Sequence, residues 1–226
     1  MTVTIYITGD IHGDLSRFNT KGMRRLRKGD TLIICGDFGF LWEDSKAEQK
    51  ALRWIGKRRY NVLFVEGTHD NLDLIEKYPV TDWMGGKVRE ISGNLRQLVR
   101  GSVFTLENSK LLAFGGGDSV DADMRHAGET WWSRELPTPE EVEIARQNLA
   151  LHENKVDYII THQPSNKIHG ALTMKDNEPN NLDVFLDEVL RNCSFTRWYF
   201  GHYHLDRLIP PNQVAVFKEI LPVTRK

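Results

Sequence analysis

Val3-Thr4-Ile5-Tyr6-Ile7-Thr8-Gly9-Asp10-Ile11-His12-Gly13 decides how this chain is read. Val3–Ile7 has the β-branched alternation of a strand, and it stops at a glycine followed by two side chains able to ligate a metal. The same device returns twice. Thr31–Cys35 ends at Gly36-Asp37, and Val62–Glu66 ends at Gly67-Thr68-His69-Asp70. Helical patterns lie between these runs, at Leu15–Leu26 with Asp14 as N-cap and at Ser45–Arg59. Strand and helix alternating over the first seventy residues predict right-handed βαβ units and a largely parallel sheet.

Further on the pattern changes. Four short runs, Val88–Ile91, Leu95–Leu98, Val103–Leu106 and Leu111–Phe114, are separated by turn-forming residues, which predicts antiparallel hairpins and a second or mixed sheet. Gly115-Gly116-Gly117 opens an irregular stretch, and Pro139 leads into a helix at Glu140–Glu153. Then come a strand at Asp157–Thr161 ending at His162, a helix at Leu182–Arg191, and a strand at Thr196–Phe200 ending at Gly201-His202-Tyr203-His204. The last run, Val214–Ile220, reads as a C-terminal strand. With no repeat, low-complexity tract or long linker, residues 1–226 read as one domain.

Composition narrows the class. The chain is 40% hydrophobic and 27% charged, and thirty basic residues face thirty-one acidic ones. That balance argues against a protein whose main task is coating nucleic acid or anionic membrane, although it leaves room for a local basic patch. No apolar run approaches the ~18–20 residues of a membrane span, and the first residues lack the basic region of a secretory signal. Cys35, inside an apolar run, and Cys193, at a helix end, read as buried thiols of a cytoplasmic protein.

Five of the eight histidines follow a predicted strand: His12, His69, His162, His202 and His204. Asp10, Asp37 and Asp70 sit at the same ends. Side chains just past the carboxyl ends of parallel strands converge on one rim, where ligands bind. One Gly-Asp after a strand is ordinarily a turn, but a bland set of loops has no reason to finish in the same residue types five times. Asp10 and His12, like His202 and His204, are two apart and point the same way in an extended segment. Mixed carboxylate and imidazole donors suit Mn, Fe or Zn. HExxH, paired CxxC, GxSxG, P-loop and GxGxxG motifs are all absent.

Gly9-Asp10-Ile11-His12-Gly13, Gly36-Asp37, Gly67-Thr68-His69-Asp70, His162 and Gly201-His202-Tyr203-His204, in that order, resemble the calcineurin-like metallophosphoesterases over residues 9–204. The resemblance implies an α/β fold, a four-layer α/β/β/α sandwich of two mixed sheets flanked by helices, with two divalent ions at the strand ends. It implies Asp10, His12 and His204 on one ion, Asp37 bridging, and His162 with His202 on the second. His69 would stand beside the leaving group as its proton donor, oriented by Asp70. The implied reaction is phosphate-ester hydrolysis by a metal-bridging hydroxide, on a phosphorylated small molecule, a nucleotide or a phosphoprotein. Thr68 stands where the family motif carries asparagine, so the second site is expected to be weaker or completed by water. Gly36-Asp37-Phe38-Gly39 lacks the phosphate-binding arginine of the protein phosphatase branch. A nuclease or cyclic-nucleotide phosphodiesterase, and a scaffold of the same fold with little turnover, are the alternatives.

Gly13 and Arg125 are the expected substrate contacts, and the stretch Gly115–His126 is the expected specificity element: its glycines permit close backbone approach, and Arg125 offers a forked pair of hydrogen bonds to a phosphate oxygen. Arg125 could instead pair with Asp121 or Asp123. Trp131-Trp132 reads as a lid or, more simply, as an anchor for its long loop. His126, His152 and His169 read as uninvolved surface residues, and Lys57-Arg58-Arg59 as cations that suit a helix C-terminus.

Overall fold

Alternation along the strands sends successive side chains to opposite faces, and this builds the layers. A computed structural model describes residues 4–119, 121–174 and 178–223; Val3, expected to begin the first strand, lies outside them. The chain opens with β1 (Ile5–Thr8), β2 (Thr31–Cys35), α1 (Lys46–Gly56), β3 (Asn61–Val65) and α2 (Leu72–Ile75). Five strands follow: β4 (Val80–Trp83), β5 (Gly86–Ser92), β6 (Leu95–Leu98), β7 (Ser102–Leu106) and β8 (Ser109–Phe114). Next come α3 (Pro139–Leu151), β9 (Tyr158–Thr161), α4 (Asn166–Thr173) and α5 (Asn181–Asn192). The chain then adds β10 (Arg197–Phe200), β11 (Arg207–Ile209), β12 (Gln213–Ala215) and β13 (Leu221–Pro222).

The strands form two mixed sheets, ordered β13-β1-β2-β3-β6-β5-β4 and β11-β12-β10-β9-β8-β7. β1, β2, β3 and β6 run parallel, as do β8, β9, β10 and β12. Leu32, Ile34, Val62 and Phe64 turn towards Leu52 and Ile55 of α1. Their neighbours Ile33, Cys35, Leu63 and Val65 turn the other way, onto Leu111, Ala113, Ile160 and Tyr199 of the second sheet. The outer face of that sheet, with Leu112, Phe114, Ile159 and Trp198, packs on Val142 and Leu149 of α3 and on Phe185 and Leu186 of α5. Three apolar cores therefore separate four layers, helices outside and sheets inside. Each large side chain fully buried there contributes roughly 1.5–3 kcal/mol.

Helix starts follow their caps. Ser45 and Glu48 close a capping box at α1, Thr138 and Glu141 do so at α3 with Pro139 in the first turn, and Asn180 and Asp183 do so at α5. Two expectations fail. Leu15–Leu26 is not one helix but two 3-10 turns, Leu15–Asn19 and Met23–Arg25, interrupted where Thr20 turns extended ahead of Gly22. Val214–Ile220 is not one strand: β12 pairs with β10 in the second sheet, whereas β13 pairs with β1 in the first. The predicted hairpins also divide, β5–β6 joining the first sheet and β7–β8 the second. Among the described residues no helix is long and apolar enough to cross a membrane.

Candidate metal centre and active site

β1, β2, β3, β9 and β10 all run towards one rim, and the loop beyond each carries one or more of the predicted ligands. Asp10, His12, Asp37 and His204 each present a ligand atom within 4.8 Å of the others. The Nε2 atoms of His12 and His204 are 2.9 Å apart, and His12 Nε2 is 3.7 Å from Asp37 Oδ2. The other oxygen of Asp37, Oδ1, lies 3.4 Å from His162 Nε2, which is itself 3.3 Å from His202 Nδ1. The Thr68 hydroxyl, buried, is 3.5 Å from the same His162 nitrogen. Asp37 thus stands between two groups of donors. His162 Nδ1 is 3.0 Å from the Cys35 carbonyl; donating a proton there leaves Nε2 with its lone pair facing the centre. Imidazole nitrogens and carboxylate oxygens facing one another this closely form the donor set that a borderline divalent cation requires, so the residues fit such a group.

The loops adopt this shape under strain. Asp10, His12, Asp37, His202 and His204 all have positive φ, between 34° and 69°. Non-glycine residues seldom do so, and the cost is of order 1–3 kcal/mol each. Interactions further out hold the loops. Arg17 donates to the carbonyls of Gly9, Asp10 and Phe217, and His202 N–H donates to Asp10 Oδ1 at 3.0 Å. Gly36, at φ +87°, is required because a Cβ there would lie 2.1 Å from His162 Nδ1.

Burial and charge compete at the centre. Burial raises the Asp10 carboxyl to about 7, His162 opposing and Asp37 assisting. For Asp37 burial is outweighed by His162 and by the hydrogen bonds and charge of His69, which together hold it well below the usual carboxylate range. Burial lowers His202 to about 3, and it also lowers His12 and His204. His69 moves up through its hydrogen bond to Asp37.

Asp70 does not orient the His69 ring. Its oxygens accept from the backbone N–H groups of Phe38, Gly39 and Gly67, tying the second and third loops together. The carboxylate beside His69 is Asp37. The N–H of Gly13 donates to the Phe38 carbonyl at 3.1 Å, which ties the first loop to the second. Arg125 reaches the rim while also pairing with Asp121. One nitrogen donates to Thr68 O at 2.8 Å, and the other lies 2.7 Å from His69 Nε2 and 2.8 Å from Asp121 Oδ1. Trp132 is an anchor: it is buried, donates to Asp73 and meets Trp42 edge-on. Trp42, Gly39, Glu43 and Glu48 line a cavity of about 390 Å³ that also reaches His12 and His69.

Three supports escaped the sequence reading. Glu66 and Arg100 form a buried ion pair at 2.8 Å behind Gly115 and Gly116. Gln163 braces Asp118 N–H and Asp183. His169 is not a surface loop residue; it is buried on α4, with its Nδ1 hydrogen-bonded to the Tyr203 hydroxyl between two candidate ligands. Of these only Gln163, next to His162, carried a local hint.

A solved structure similar over 96% of this chain is a Staphylococcus aureus protein described as a putative 5′-nucleotidase, with 13% identity and a TM-score of 0.50. The chain spans about half of that protein, 49% of its length. A second is the phosphopantetheinyl hydrolase of Mycobacterium tuberculosis, with 15% identity over 95% of this chain and 89% of that one, at a TM-score of 0.46. No curated protein matches the chain. The model of the calcineurin-like phosphoesterases matches residues 3–206, which include every loop of the rim. The chain belongs to the calcineurin-like phosphoesterase family.

Proposed function

We propose that this protein hydrolyses phosphate monoesters of small molecules or nucleotides, with two divalent cations, Mn, Fe or Zn, held at the rim. The observation that carries the reading is the convergence of Asp10, His12, Asp37 and His204 within 4.8 Å, with His162 and His202 adjoining. Asp10, His12 and His204 would hold one ion, Asp37 would serve both, and His162, His202 and Thr68 would complete the second. Such ions neutralise phosphate charge and activate water for in-line attack.

The chain's own residues supply the rest. Arg125, freed from Asp121, presents a fork of donors to the phosphate oxygens. The cavity beside Trp42 accommodates the organic part of the ester, and its size suits a small molecule better than a folded phosphoprotein. His69 opens onto that cavity and is the group from which the departing oxygen takes its proton. The hydrogen bond to Asp37 shifts the ring towards its charged form, and Nε2 is open to carry the proton once Arg125 has moved from it onto the phosphate.

The test compares p-nitrophenyl phosphate with bis(p-nitrophenyl) phosphate before and after chelation. Monoester turnover that vanishes on chelation and returns with Mn²⁺ is expected. Turnover of the diester alone would move the protein to the diesterases, and no turnover with Mn²⁺, Fe²⁺ or Zn²⁺ would leave it a scaffold.

A further inference from the structure

Near-neutral charge conceals a strong segregation. Residues 15–29 and 49–65 together hold eleven of the thirty lysines and arginines and not one carboxylate, while all thirty-one acidic residues lie elsewhere. Folding brings the two stretches together. Arg59 donates to the Leu26 carbonyl at 3.1 Å, Gly29 N–H donates to the Arg59 carbonyl, and Phe18 meets Trp54 edge-on. A groove of about 460 Å³ runs between them, lined by Arg24, Lys57, Arg58 and Arg59. It lies by the starts of β2 and β3, whereas the metal centre lies past their ends, a strand's length of roughly 17 Å away.

Nine of the eleven are exposed, and none of the eleven forms an ion pair among the described residues; Arg17 has its guanidinium spent on carbonyls and the Thr8 hydroxyl. Asp30, which closes the first stretch, is buried and turned inward onto the amides of Thr4 and Arg27. Glu48 is occupied at the opposite end of α1. The helix dipole accounts for cations at one helix end; it does not account for the six on residues 15–29. Arg58 Nε is buried in the groove wall without an acceptor.

We propose that this face docks single-stranded nucleic acid, independently of the ester-hydrolysing centre. Seven of the eleven cations are arginines, which match phosphate geometry with paired donors. Amid them Trp54 is 37% exposed, with the Arg58 guanidinium carbon 3.3 Å from its ring centroid. Trp54 adjoins the groove through Arg58 and Phe18, and an arginine-backed aromatic beside a basic groove is the platform on which unpaired bases stack, whereas paired bases are not available to it.

The experiment measures fluorescence anisotropy of labelled 20-nucleotide single strands and duplexes with the full chain across a salt series. The intact protein is expected to bind the single strand, with affinity falling steeply as salt rises. Replacing Arg24, Arg25, Lys57 and Arg59 by Gln should weaken binding at least about tenfold and flatten the salt slope by about 0.7 for each phosphate left without its cation. Trp54→Leu should weaken single-strand binding about tenfold and leave duplex binding unchanged. Replacing Lys110, Lys155, Lys167 and Arg191, exposed elsewhere, by Gln should do nothing. Melting curves verify that each variant is folded. The proposal is overturned if the intact protein binds no oligonucleotide at low salt, if the two quadruple variants lose binding equally, or if vesicles containing phosphatidylserine bind and the single strand does not.

Discussion

Asp37 grips His69 twice: the backbone N–H of His69 donates to Oδ1 at 2.8 Å, and its ring Nδ1 lies 3.1 Å from Oδ2. One carboxylate thereby fixes the position of the candidate proton donor while facing both groups of metal donors. Asp37→Ala should therefore cost more activity than His69→Ala, since it disturbs ions and ring together.

His69→Ala should lower kcat by about a hundred- to ten-thousand-fold for esters with poor leaving groups and far less for nitrophenyl esters. Measuring kcat/KM over aryl phosphates of graded leaving-group acidity checks this. A uniform loss across the series would remove His69 from the acid role.

Metal loading should depend on pH through Asp10. Its carboxyl in the ion-free protein titrates at about 7 because of burial, so below that pH a proton must leave before a cation can bind. The apparent affinity is expected to fall by about tenfold per pH unit below 7 and to level off above it. His202, held at about 3 by burial, is already neutral in that range, and burial also shifts His12 and His204 downward. Calorimetric titrations at pH 5.5 to 8.5 in buffers of different ionisation enthalpy would count the released proton.

Thr68→Asn should tighten binding of the second equivalent of Mn²⁺ by about tenfold or more, because the longer amide carries an oxygen further towards His162 and His202. The first equivalent should be unaffected. Equal binding in both proteins would confine Thr68 to its packing on Gly117.

Arg125→Lys should raise KM by about ten- to a hundredfold, since a single ammonium cannot replace the fork; this takes a charged hydrogen bond as about 1.5–3 kcal/mol. Arg100→Met tests the scaffold behind the rim. It strips the buried Glu66 carboxylate of its partner and should cost about 3–5 kcal/mol in urea unfolding.

Strand ends were easy to read because a buried parallel strand is a short apolar run and its terminating glycine is local. Thr31–Cys35 and Leu95–Leu98 have the same bounds in sequence and structure. Leu15–Leu26 misled because apolar spacing survives a break: Phe18, Met23 and Leu26 all reach the same core from two separate turns. Arg89, Arg100 and Arg134 look alike in sequence, yet among them only Arg100 meets Glu66, because that choice depends on the ends of β3 and β6 being brought side by side in the first sheet.

The sequence by itself determined which residue types end each strand, hence the chemistry of the rim, since period-two alternation and a closing Gly are written into a few consecutive residues. The tertiary structure alone decided that Asp37 rather than Asp70 holds His69, that Gly13 ties its loop to Phe38, and that two basic stretches form one face. Those outcomes depend on distances between loops separated by tens of residues, and such distances follow from how the sheets twist and pack, which no local pattern encodes.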